Sequence, residues 1–80
     1  MKEKTLHTIV AFHTTTDALA MEAYCTQHAI PGRLIPLPTI ISAGCGMCWS
    51  ASNDVKEIEA IQKGLQTIGI QTAGIYQMML

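Results

Sequence analysis

The chain predicts an α+β fold of the ferredoxin-like kind, βαββαβ in order, with two helices on one face of a four-stranded antiparallel sheet. Three observations carry this. TLHTIVAFH at residues 5–13 is dense in β-branched and aromatic residues, and residues 54–68 have a clean helical periodicity. Between them, and after them, turn signals at Pro31-Gly32, along 36–46 and at Gly69 cut the chain into short segments. Right-handed crossovers leave few other topologies for that order.

Taken in turn, residues 1–4 are a charged end expected to fray. Residues 5–13 form the first strand, whose Ile9-Val-Ala-Phe12 run suits a mostly buried position. Thr14-x-x-Asp17 resembles a capping box and opens a helix to about residue 28, with Ala18, Met21, Cys25 and His28 on one face and Pro31-Gly32 marking its end. Residues 33–37 are a short strand that Pro36 confines to a sheet edge. Residues 47–51 make the third strand. Ser52, Asn53 and Asp54 then supply an N-cap, and Ile58, Ile61, Leu65 and Ile68 form the apolar stripe of the second helix. Gly69 is a natural residue to end it. Residues 70–77 are the last strand, and 78–80 an apolar tail.

All 80 residues belong to one domain. Five Lys/Arg stand against six Asp/Glu, a net charge of −1, with no basic cluster, which argues against nucleic acid or an anionic membrane as the main partner. Nothing approaches the roughly 18 uninterrupted apolar residues of a membrane span. Three cysteines, at 25, 45 and 48, do not make a secreted disulfide framework, and no secretory leader pattern is visible; the expectation is a reduced, cytoplasmic protein.

The chemistry is expected in the stretch 36–48, PLPTIISAGCGMC. Pro36 and Pro38 stiffen its entry, and Gly44 and Gly46 free the backbone on both sides of Cys45. A core strand does not need that arrangement; a loop presenting a sulfur does. In the expected topology the first two strands run the same way, so His13, the helix start at 14–17 and Cys45 share one edge of the sheet, with Cys45 opposite Phe12 or His13. A helix amino terminus carries free N–H groups and partial positive charge, which draw a thiol toward thiolate. His13 and the hydroxyls of Thr14, Thr15, Thr16 and Ser42 are placed to hydrogen-bond an anionic sulfur or selenium. Arg33 falls at the opposite edge.

The blocks Phe12-His-Thr-Thr-Thr-Asp-Ala18, Arg33-Leu-Ile-Pro-Leu-Pro38 and Ser42-Ala-Gly-Cys-Gly46 resemble the small bacterial selenium/sulfur carrier-like proteins. The resemblance spans nearly the whole chain and implies a carrier that holds sulfur or selenium on a cysteine, here Cys45, as a persulfide or selenosulfide. It implies a donor enzyme and an acceptor protein as partners, and no cofactor. Cys48 departs from the family pattern and leaves a dithiol pair with Cys45 open as a further reading. In an extended strand, however, residues three apart lie about 10 Å apart and face opposite ways. Two cysteines and His13 are too few for a zinc site. Cys25 reads as core, His7 and His28 as structural, and Trp49 and Tyr76 as sheet packing. The competing reading from another class is a ligand-binding or homodimeric regulatory module, in which Gly44-Cys-Gly46 is only a tight hairpin.

Overall fold

A computed structural model describes residues 4–80; the end expected to fray lies, apart from Lys4, outside them. β1 (Leu6–Phe12), α1 (Thr15–Gln27), β2 (Arg33–Pro36), β3 (Met47–Ser52), α2 (Val55–Thr67) and β4 (Thr72–Met79) follow one another in the expected order. The strands form one sheet in the order β2-β3-β1-β4, and every neighbouring pair is antiparallel. This is the ferredoxin-like arrangement.

β1 is central and its unbroken apolar run is buried on both faces: every residue from Thr8 to Phe12 is buried. On one face Val10 and Phe12, with Trp49 and Ala51 of β3, meet Ala18, Met21 and Cys25 of α1 and Ile61 and Leu65 of α2. Both helices therefore cover the same side. On the other face Ile9, Ala11 and Cys48 pack with Ile41, and Leu37 and Ala43 lie against them. The connection between β2 and β3 is thus a lid of apolar side chains over the face without helices.

Both helices end in the same way. After α1, Ile30 N–H bonds to the Cys25 carbonyl and Ala29 N–H to that of Thr26; after α2, Ile70 bonds to Leu65 and Gly69 to Gln66. These are Schellman ends, with the left-handed position at Gly69 (φ 71°) and Ala29 (φ 53°). α1 thus stops ahead of Pro31-Gly32. Gly32 instead serves Trp49: its φ is 142°, and a Cβ there would stand 2.5 Å from the indole Nε1.

Other expectations need correction. His28 leaves the buried face and stacks on Tyr24, ring centroids 4.1 Å apart. Ile68 becomes the C-cap of α2 and is part-exposed, while Gly64 lets the Tyr24 ring close on that helix. Met78 and Met79 are strand, not tail, because the ladder continues through Leu6↔Met79 and the Thr5 and Leu80 backbones then exchange two bonds of 2.9 Å. β2 is the edge strand that Pro36 requires.

Candidate functional site

β3 runs antiparallel to both β1 and β2, so the residues entering it reach the carboxyl end of β1. Two backbone bonds hold them there: Cys45 N–H donates to the Phe12 carbonyl at 3.1 Å, and Leu37 N–H donates to the Gly46 carbonyl at 2.9 Å. Gly44 lies directly under the His13 carbonyl, where a Cβ would collide with the backbone oxygen; above Gly46 there is open space. One glycine permits the close approach, and the other leaves the outer side of the loop unobstructed.

The amino end of α1 lies beside this loop. Thr14 is the N-cap in extended conformation, and its Oγ1 accepts the Asp17 N–H at 3.1 Å. Thr15, the first helical residue, brings its Oγ1 to 3.6 Å from Cys45 Sγ. On the other side, the Met47 N–H donates to the same sulfur at 3.4 Å. A hydroxyl and an amide therefore meet one sulfur beside the amino end of α1.

The sulfur is not presented to solvent. Cys45 is only 2% exposed and joins the cluster of Val10, Phe12 and Met21 beneath the helices. The expectation of an exposed loop thiol is corrected here. Its backbone bond to Phe12 turns the side chain inward, and a sulfur is apolar enough to complete that core.

The other residues expected to support Cys45 are distributed differently. His13, Thr14, Thr16 and Ser42 are exposed, and among the described residues none of them hydrogen-bonds the sulfur. Thr14 is committed to its cap. Cys48 belongs to the opposite face of the sheet, where its thiol points to the Pro36 carbonyl at 4.0 Å. Burial, and then the charge of a Cys45 thiolate, push the Cys48 thiol up to about 11; burial alone does the same to Cys25. All three thiols are free. Arg33 is paired with Ser50 at the far end of the sheet, in the wall of a cavity of about 510 Å³ that also takes in His7 and Ser52 and is remote from Cys45. Among the described residues no three His, Cys, Asp or Glu side chains gather as a metal site requires, and no helix is long and apolar enough to cross a membrane.

Residues 7–77 match the family described as Putative Se/S carrier protein-like. The chain belongs to that family. No curated protein and no solved structure matches it. In this Se/S carrier-like chain the sequence pointed to Cys45 and to the start of α1, but not to which hydroxyl meets the sulfur. Nor did it show the Met47 amide, a backbone donor that side-chain identity does not reveal.

Proposed function

We propose that this member of the Se/S carrier-like family is a carrier that holds a sulfur or selenium atom on Cys45 and passes it to an acceptor protein. The observation that supports this reading most is the pairing of Cys45 Sγ with Thr15 Oγ1 and the Met47 amide at the amino end of α1. Neither contact is needed to bury a cysteine, and both bring hydrogen-bonding groups to the sulfur that would carry the atom.

The transfer needs no change in overall oxidation state. The Cys45 thiolate attacks the outer chalcogen of a donor's persulfide or selenosulfide. A new bond forms from Sγ to that atom, the donor's bond to it breaks, and the donor cysteine leaves as thiolate. Discharge is the same step with the acceptor thiolate as nucleophile, and Cys45 leaves.

Because the sulfur is covered, loading requires the loop around it to lift. Among the described residues two backbone bonds hold it there, Cys45 to Phe12 of β1 and, across the mouth of the connection, Leu37 to Gly46. Ile40, 82% exposed in the same connection, offers an apolar contact through which a donor enzyme would engage the loop. The cytoplasm, where thiols stay reduced, is the compartment this chemistry requires.

The test is loading and discharge. After exposure to a cysteine desulfurase with cysteine, the intact mass of the protein rises by one sulfur atom and returns on addition of an acceptor thiol. Cys45→Ser does not load. A Cys45→Ser protein that loads as fully as the parent overturns the proposal.

A further inference from the structure

The two edges of the sheet are built differently. β2 is four residues long, begins at Arg33 and ends at Pro36, so charge, proline and shortness all obstruct a further strand. β4 is eight residues long and has neither proline nor charged side chain. Its bulge lies near its start, where the register shifts between Ala11 and Phe12. From Ile75 to Met79 it is regular, and among the described residues no strand lies beside its outer row of N–H and C=O groups.

The helices do not shelter this edge. They pack over β3, β1 and β2, and the helix-side residues of β4 stay open: Ile75 is 42% exposed and Met79 55%. Leu6, paired with Met79 at the end of β1, continues the same patch at 38%. Tyr76, on the other face, is 38% exposed with its ring folded over Gly74.

We infer that β4 is a homodimer seam: two copies of this chain pair β4 to β4, antiparallel about a two-fold axis, into one eight-stranded sheet. Three features select a second copy over another occupant. Residues 71–80 carry no charged side chain, so two identical strands meet without like-charge repulsion, and a charged partner finds nothing to pair with. Antiparallel pairing of a strand with itself is isologous and closes at two. The heterologous alternative, β4 on a neighbour's β2, would grow without end, and Arg33 and Pro36 block it. A standard interface covers about 800 Å² on each partner, more than a strand's backbone supplies, so Leu6, Ile75 and Met79 of both copies join the seam above the paired strands.

This inference is independent of the carrier reading, and Cys45 is at the opposite edge of β1 from β4. It is tested by sedimentation and by amide exchange on the full chain. The parent protein sediments with twice the 8.7 kDa chain mass at high concentration, and the outward amides of residues 75–79 are protected. The double variant Ile75→Lys/Met79→Lys changes two exposed side chains, keeps the parent's circular dichroism, and sediments as one chain with those amides exchanging freely. A parent protein that stays monomeric at hundreds of micromolar overturns the inference. So does a dimer that survives the double substitution with the β4 amides unprotected.

Discussion

Thr14, Thr15 and Thr16 are identical in type and adjacent in sequence, yet the helix start gives them separate tasks. Thr14 turns its hydroxyl to the Asp17 amide, Thr16 is exposed, and Thr15 alone meets Cys45 Sγ. Thr14-x-x-Asp17 marks Thr14 as the cap in the sequence, whereas the contact of Thr15 with the sulfur follows only from the fold. Thr15→Ala is therefore expected to slow alkylation of Cys45 by about fivefold at fixed pH, the equivalent of one hydrogen bond of about 1 kcal/mol. Thr15→Ser should restore the rate, since the hydroxyl returns. If Thr15→Ala alkylates as fast as the parent, the hydroxyl does not act on the sulfur. Gly44 and Gly46 looked alike for the same reason. One is required by the carbonyl of His13, far from it in sequence, and the other has nothing near it.

At the scale of elements, the two helix ends are legible from different signals. Gly69 advertises a left-handed residue at the end of α2. At the end of α1 the same conformation falls on Ala29, which carries no such signal, and the expected end near residue 28, drawn from Pro31-Gly32, agrees with the C-cap at His28. A Cβ in the left-handed region costs about 1 kcal/mol or somewhat more. Ala29→Gly is accordingly expected to stabilise the protein by about 1 kcal/mol, read as a higher urea midpoint at unchanged slope; an unchanged or lower midpoint would contradict the account of this turn. The α2 stripe was readable because its period repeats over about three turns. The lid formed by residues 37–43 was not. PLPTIISA has no periodicity, and only the fold reveals that Leu37, Ile41 and Ala43 face Ile9 and Ala11.

At the scale of the whole molecule, two buried thiols tie stability to alkaline pH. The folded state raises Cys25 and Cys48 from 9.0 to about 11, because burial disfavours their charged forms. The unfolded chain then releases these protons first. Their contribution to stability is complete below pH 9 and declines as the pH rises from 9 to about 11. Under reducing conditions the urea midpoint should fall across that window, and fall less steeply in Cys25→Ala/Cys48→Ala. Equal slopes in the two proteins would contradict the assignment. The same distribution of environments gives the molecule one distinctive thiol. Cys25 sits in a helix in the core, Cys48 in a strand on the far face, and Cys45 in a loop anchored by two bonds at the positive end of α1.

Which sulfur receives the transferred atom is therefore the question to measure. The protein with all three cysteines intact is loaded by a desulfurase, its persulfide is trapped with a thiol-selective tag, and the tagged residue is located by peptide mapping. The account predicts the tag on Cys45, with Cys25 and Cys48 unmodified. A persulfide found on Cys25 or Cys48 in place of Cys45, or none on any of the three, contradicts it.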